Sequence, residues 1–189
     1  MPTDGIKRVL SVAALALVAG LILVVSDTSF AQEKKKISWT TKAENTKFSY
    51  LHRLDIPDMP GHRLGLFEVQ RTWPDGGGPA VDGRKVIEEI TRGTADGVAG
   101  NGREYGYGHW RFENGDQAFN QYHLTFQSVI NPDQSRKTTY VGTYLHTGGT
   151  GALKGLKGLG RFAGLTEFNA EGKPTRNEYS AEGEYWFEK

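Results

Sequence analysis

Cysteine is absent from this chain of 189 residues. Without cysteine the fold can form no disulfide, so its stability must come from the packing of its core. The absence also excludes thiolate metal sites, cysteine nucleophiles and the lipid-attachment cysteine of a bacterial lipoprotein.

An excess of charge of either sign is missing as well. The chain has 23 Lys and Arg against 22 Asp and Glu, which gives a formal net charge of +1. This balance creates no overall field that would attract nucleic acid or an anionic membrane. Lysines at 34–36, 154 and 157 are explained by the protection of chain ends and strand edges. We therefore expect no nucleic-acid partner.

Helical patterns are scarce after the first 31 residues. The best candidate is 86–91, where three apolar residues would share one helical face, although a strand fits the same segment equally well. Elsewhere apolar and polar residues alternate, as in 48–56 and 65–73, which end at Pro-Gly and Pro-Asp-Gly turn signals. In 179–189 the glutamates fall on one face and the aromatic residues on the other. This is the period of half-buried strands.

Asn114–Gly115 predicts a β-hairpin, because Asn-Gly is the preferred sequence of a two-residue hairpin turn. The turn would join strands 105–112 and 118–129. If Glu113 pairs with Asp116, His109 lies opposite Asn120 and the register of the whole hairpin follows.

Glycine is abundant, with 25 residues, and it is densest between 142 and 164. That density does not suit a helix, but it suits strands that bend sharply or pass close to another backbone. Short strands with tight turns and no crossover helix favour an all-β fold, a small closed antiparallel up-and-down barrel of about eight strands. We assign it to a single β-barrel domain at 48–189, preceded by an N-terminal segment at 32–47.

The N-terminus has the features of an export signal. A basic pair, Lys7 and Arg8, precedes the apolar run 9–25, and Ser29-Phe30-Ala31 supplies a cleavage site. These features predict a signal peptide at 1–31 and a periplasmic or secreted protein with no membrane contact after cleavage. An uncleaved membrane anchor is the alternative, because the apolar run is long and basic residues follow it.

Two glycine-containing segments resemble those of the allene oxide cyclase-like and dirigent-like barrels. They are Gly106-Tyr-Gly-His-Trp-Arg-Phe-Glu-Asn-Gly-Asp116 and Gly149-Thr-Gly-Ala-Leu-Lys-Gly-Leu-Lys-Gly-Leu-Gly-Arg-Phe162. The resemblance covers 104–164 and implies a small eight-stranded calycin-like barrel with a central cavity. That group includes plant cyclases, proteins that direct stereochemistry, and bacterial proteins without an assigned activity. No catalytic residue of the family falls on a matching position here, so the resemblance implies a fold and not a reaction.

Motifs for hydrolases and nucleotide enzymes are not found. The chain has no Gly-x-Ser-x-Gly, and its only Gly-Lys pair, at 172–173, is followed by Pro174. The predicted hairpin register points His109 and His123 to opposite faces, so these two rings would not share a metal ion. The remaining histidines are His52, His62 and His146. We therefore expect no metal site and no cofactor.

One face of the predicted hairpin combines aromatic side chains with a few polar groups, as small-molecule pockets do. Its members are the candidate ligand-binding residues Tyr105, Tyr107, His109, Arg111, Asn120 and Tyr122. The structural alternative is that strands favour Tyr and Phe in any case. Then the interior would belong to Trp110, Phe112 and Phe119 on the other face.

Three functions are compatible with these patterns. The first is a non-enzymatic module that binds a mainly apolar small molecule in an aromatic-lined cavity. The second is an isomerase or cyclase that positions a lipid-like or phenolic substrate. The third is a structural protein that assembles into a homo-oligomer. An open cavity with an ionisable group at its centre would favour the second, and a filled interior would favour the third.

Overall fold

The computed structural model describes residues 32–188, which are mainly β-structure. The strands are β1 Lys35–Thr41, β2 Thr46–Asp55, β3 His62–Thr72, β4 Ala80–Val81, β5 Arg84–Val98, β6 Asn101–Phe112, β7 Gln117–Ile130, β8 Arg136–Gly149, β9 Leu156–Phe168 and β10 Pro174–Phe187. Two 3₁₀ turns, Ala43–Asn45 and Gly151–Leu153, complete the described elements. Within residues 32–188 no helix has the length and apolar character needed to cross a membrane.

All strand pairs are antiparallel, and nine strands follow one another in the order β1-β10-β9-β8-β7-β6-β5-β3-β2, with β4 paired to β5. The predicted all-β antiparallel architecture is confirmed, and segment 86–91 is part of strand β5. Hydrogen bonds do not join β1 to β2, so the ladder itself does not close. These two edge strands are consecutive in the chain and are linked through the 3₁₀ turn Ala43–Asn45.

Aromatic contacts across the sheet show that it curls around one face. The rings of Trp39 in β1 and Trp110 in β6 meet edge to face, with centroids 5.1 Å apart. At the other edge, Phe48 in β2 lies 6.1 Å from Phe168 in β9. Strands distant in the sheet order therefore share one concave, buried face.

The end of the sheet at the β6–β7 turn is filled with side chains. Val86 and Phe112 pair across β5 and β6, and both are fully buried. The 3₁₀ turn between β8 and β9 adds Leu153, which is also fully buried, next to Leu156. Burial of this apolar group stabilises the fold by about 1.5–3 kcal/mol for each large side chain.

The glycines between 142 and 164 accommodate aromatic side chains on the concave face. Tyr144, Gly160 and Gly183 stand opposite one another on β8, β9 and β10. A Cβ atom at either glycine would overlap the hydroxyl of Tyr144. The dense glycines thus let tyrosine rings lie flat against the neighbouring strands.

The β6–β7 hairpin differs from the predicted one in its turn. Phe112 N donates to Asp116 O at 2.9 Å, and Gly115 N donates to Phe112 O at 3.0 Å. Gly115 has a φ of +85°, and within the turn no other residue has positive φ. The loop is therefore a three-residue turn and not a two-residue one.

This turn shifts the hairpin register by one residue. His109 pairs with Phe119, where the predicted partner was Asn120, and Gly108 takes the place opposite Asn120. Because side chains alternate between faces, a shift of one residue moves every side chain of β7 relative to β6. The predicted register is therefore wrong, and so is the face assignment that followed from it.

Candidate ligand-binding cavity

The other half of the concave face encloses a cavity of about 730 Å³. This volume is within the range of small-molecule pockets. Its wall is mainly aromatic and includes Trp39, Phe48, Phe67, Trp110, Tyr122, Phe126, Tyr140, Tyr144, Phe162 and Tyr179.

The cavity stays hollow because large rings on its wall lie over glycines. The hydroxyl of Tyr122 occupies the space where a Cβ of Gly93 would stand. The ring tip of Phe126 lies 2.8 Å from the positions that Cβ atoms would take at Gly97 and Gly102. Rings that lie against the backbone line the wall without filling the centre.

A buried ion pair forms part of the cavity floor. Arg71 Nη1 donates to Glu89 Oε2 at 2.8 Å, and Trp110 Nε1 donates to Glu89 Oε1 at 3.0 Å. The Arg71 guanidinium also lies 4.4 Å above the ring of Tyr179. Burial by itself lowers the pKa of Arg71, but the Glu89 carboxylate outweighs it and raises that pKa above its usual value. Arg71 is therefore charged, and its charge is already balanced within the wall.

Glu104 is the acidic group on the cavity wall without such a balance. It lies on β6 between Ala95 of β5 and Leu124 of β7, on the concave face. Burial raises the pKa of its carboxyl group to about 7, although the charge of Arg71 acts in the opposite direction. Within residues 32–188 neither a hydrogen-bond donor nor a cation pairs with this carboxyl group. Glu104 can therefore hold or release a proton near neutral pH.

Arginines dominate the mouth of the cavity. Those among its lining residues are Arg53, Arg63, Arg136 and Arg176, whereas Glu44 is the acidic residue at this end. Arg63 donates to Asp55 at 2.8 Å. Arg136 instead lies with its guanidinium carbon 4.2 Å from the ring centre of Phe168. Two of the four arginines at the mouth, Arg53 and Arg136, therefore lie against aromatic rings.

The candidate residues predicted from the sequence divide between the two faces. Asn120 and Tyr122 line the cavity, and they are joined there by Trp110. The other four candidates lie on the outer face: Tyr105, Tyr107, His109 and Arg111. Of these, Tyr105 is 51% and Tyr107 is 64% exposed. The prediction that all six share one face is thus corrected, because the one-residue shift in register separates the four residues of β6 from Asn120 and Tyr122 of β7. Of the alternative set, Phe112 is buried and Phe119 is exposed.

The histidines are also placed differently from the prediction. His109 and His123 both point outward, because their partners are Phe119 and Tyr105. They stand four residues apart along the ladder, about 13 Å. No group of three His, Asp or Glu side chains in residues 32–188 could hold a metal ion. His146 is fully buried, and burial lowers its pKa to about 4, so it is neutral.

Glu104 was missed by sequence reasoning, yet the sequence carries a signal for it. Every second residue of β6 faces the concave side, and Glu104 shares this face with Gly102, Gly106, Gly108 and Trp110. An acidic residue in the position of a buried side chain is informative, because buried charges are rare without a partner. Recognising it requires the correct face of β6.

No protein-family model, no curated protein and no solved structure matches this chain. Function is therefore inferred from the cavity and its charged side chains.

Proposed function

We propose that this protein binds a small, mainly apolar molecule inside the cavity. The observation that carries the proposal is the hollow of about 730 Å³ with an aromatic wall, next to an end that is fully packed. Voids in protein cores seldom exceed the size of a few water molecules, so a cavity of this volume favours a binding site over a packing defect. Apolar walls with a few fixed polar groups are the usual construction of a ligand pocket.

The polar groups on the wall limit the charge and the hydrogen-bonding groups that the ligand can have. Arg71 and Glu89 neutralise each other, so the floor offers no free charge to a ligand. Glu104 and Asn120 remain as groups that can hydrogen-bond to it from the wall. The ligand is accordingly apolar along most of its length, with few hydrogen-bonding groups.

The test uses the neutral, apolar fluorescent dye N-phenyl-1-naphthylamine and a pair of adjacent threonines. Thr138 lines the cavity, whereas Thr139 lies on the outer face of the same strand. Thr138→Trp places an indole in the cavity and should weaken dye binding at least tenfold, while Thr139→Trp leaves it unchanged. Equal affinity in both variants, or no binding to the wild type, would contradict the proposal.

A second candidate function is an isomerase or cyclase, and Glu104 is the observation that favours it. A carboxyl group with a pKa of about 7 in an apolar cavity is suited to transfer protons at neutral pH. In this reading Glu104 accepts a proton from one carbon of the bound substrate and returns it to another. The cavity wall holds the substrate in the reactive conformation.

Native mass spectrometry of the protein purified from its own host distinguishes the two functions. For an enzyme, Glu104→Gln co-purifies with a substrate that the wild-type protein then converts into a molecule of different structure. For a binding module, both proteins carry the same molecule, and the wild type returns it unchanged.

The resemblance to allene oxide cyclase-like and dirigent-like barrels supports a barrel-like closure of the curled sheet around a central cavity. We also propose that the protein is exported to the periplasm or beyond, on the sequence of 1–31, which lies outside the described residues. Mass analysis of the protein from its host should then give an N-terminus at or near Gln32. Recovery of the full chain from membranes would support the anchor instead.

A further inference from the structure

The mouth of the cavity contains two arginines that lack an acidic partner among the described residues. Seven of the ten arginines in residues 32–188 lie within 4 Å of a carboxylate oxygen. Arg53, Arg84 and Arg136 are the other three, and two of them, Arg53 and Arg136, line the mouth. Pairing is therefore the rule for arginine in this fold, and the mouth departs from it.

Arg136 is the better placed of these two arginines. It is the first residue of β8, where it stands opposite Phe168 of β9 and is half-buried. Its Nε is buried and has no hydrogen-bond acceptor among the described residues. Arg53, in contrast, is exposed and lies 5.4 Å from the ring of Tyr50.

Phe168 fixes the orientation of the Arg136 side chain. The guanidinium carbon lies 4.2 Å from the ring centre, a cation–π distance. A guanidinium held against a ring has a fixed orientation, so it loses little conformational freedom when it binds a carboxylate. The Phe168 ring is itself supported by Phe48, which packs against it in an edge-to-face arrangement with centroids 6.1 Å apart.

We propose that the ligand carries a carboxylate, and that Arg136 binds this group at the mouth while the apolar body fills the cavity. The inference rests on the proposed function, and it narrows the ligand to an amphipathic acid. Arg63 and Arg176 also lie at the mouth, but acidic neighbours already bind both, so Arg53 and Arg136 carry the positive charge that the described residues leave unbalanced there. A cationic head group would meet repulsion from the same arginines, and a neutral one would leave Arg136 unpaired.

Three amphiphiles with the same chain test this assignment: dodecanoate, dodecanol and dodecylammonium. Each competes with N-phenyl-1-naphthylamine for the purified full chain at neutral pH. Dodecanoate should displace the dye at about a tenth of the dodecanol concentration, since a charge-assisted hydrogen bond at a partly exposed site is worth about a factor of ten. In Arg136→Gln this preference should disappear, so that dodecanoate and dodecanol displace the dye at similar concentrations.

Arg161→Gln is the matched control, because Arg161 lies on the outer face and pairs with Glu182. It should keep the wild-type preference. Arg136→Lys, which retains the charge, should keep part of it. The wild-type preference should also shrink as sodium chloride is added, a measurement that needs no variant.

The proposal is overturned if the wild type binds dodecanol as tightly as dodecanoate, if salt leaves the preference unchanged, or if Arg136→Gln retains it. Tighter binding of dodecylammonium would assign recognition to the Glu104 carboxylate instead. Failure of the dye and all three amphiphiles to bind would refute the ligand-binding function itself, which is a different result from the loss of selectivity.

Discussion

Arg71 and Glu89 stand directly opposite each other on β3 and β5, and their side chains form an ion pair of 2.8 Å inside the protein. Their side chains are only 10% and 6% exposed. Removal of one member of such a pair leaves an uncompensated buried charge, whereas removal of both does not. The pair therefore fixes a wall of the cavity more than it adds net stability.

The first prediction concerns this ion pair. Glu89→Leu should lower the free energy of unfolding by about 3–5 kcal/mol, because it strands the Arg71 charge and the indole N–H of Trp110. The double variant Arg71→Met/Glu89→Leu should recover most of the loss. Urea unfolding measures both. A double variant as unstable as the single one would show that the pair is a net source of stability.

The second prediction is a pH dependence caused by Glu104. The pKa of its carboxyl group is about 7 in the folded protein, against an ordinary value of 4.5. The folded state therefore binds more protons than the unfolded state between these values. The stability from this group is complete below pH 4.5 and is lost as pH rises through 7, by at most about 3 kcal/mol.

The stability contribution of His146 has the opposite pH dependence to that of Glu104. The effect of Glu104 is therefore isolated by comparing the wild type with Glu104→Gln. Burial lowers the pKa of His146 to about 4 from an ordinary 6.5, so its contribution is lost as pH falls through that window. The difference in unfolding free energy between wild type and Glu104→Gln removes the histidine term. That difference should grow in favour of the variant from pH 5 to 8, and a flat difference would mean that Glu104 is solvated.

The sequence predicted those features that depend on local alternation. In β10, Tyr179, Ala181 and Tyr185 are buried as the period of two required, because neighbouring residues of a strand point to opposite faces. Gly142, Gly158, Gly160 and Gly164 likewise lie in strands and have close neighbours at their Cβ positions. Such signals need no knowledge of the partner strand.

The candidate site was harder to predict because it depends on register. Asn114–Gly115 fits a two-residue turn and a three-residue turn, and the two differ by one residue in pairing. That difference grouped Tyr107 with Tyr122, which lies on the opposite face, and hid the significance of Glu104. The orientation of the Arg136 side chain is a further long-range feature, since it depends on contact with a phenylalanine 32 positions away in the chain.

The third prediction concerns glycine packing under Tyr144. Gly160→Ala should destabilise the protein by about 1–3 kcal/mol, because its Cβ would overlap the Tyr144 ring and the Glu182 carbonyl oxygen. Gly148→Ala is the matched control in the same glycine-rich segment, since no atom lies within 4 Å of its Cβ position. Thermal unfolding of the two variants should separate them, and similar melting temperatures would contradict the close packing.

The fourth prediction tests the corrected face assignment with two tyrosines of neighbouring strands. Tyr122 is 6% exposed and its ring lies 6.2 Å from Phe162, whereas Tyr107 is 64% exposed. Tyr122→Ala should lower the free energy of unfolding by about 2–4 kcal/mol, somewhat less than in a filled core because the ring borders the cavity. It should also lower the affinity for N-phenyl-1-naphthylamine, because Tyr122 lines the cavity.

Tyr107→Ala should leave both quantities almost unchanged, because its side chain is surrounded by solvent and faces away from the cavity. Urea unfolding and dye titration of both variants give four numbers, and the pattern among them is decisive. The two-residue turn puts Tyr107 and Tyr122 on one face, so a loss of dye affinity in both variants would restore that turn and its register. A loss in Tyr122→Ala alone places the interior of the sheet on the face of Trp110 and Glu104, where the carboxyl group and the ligand would meet.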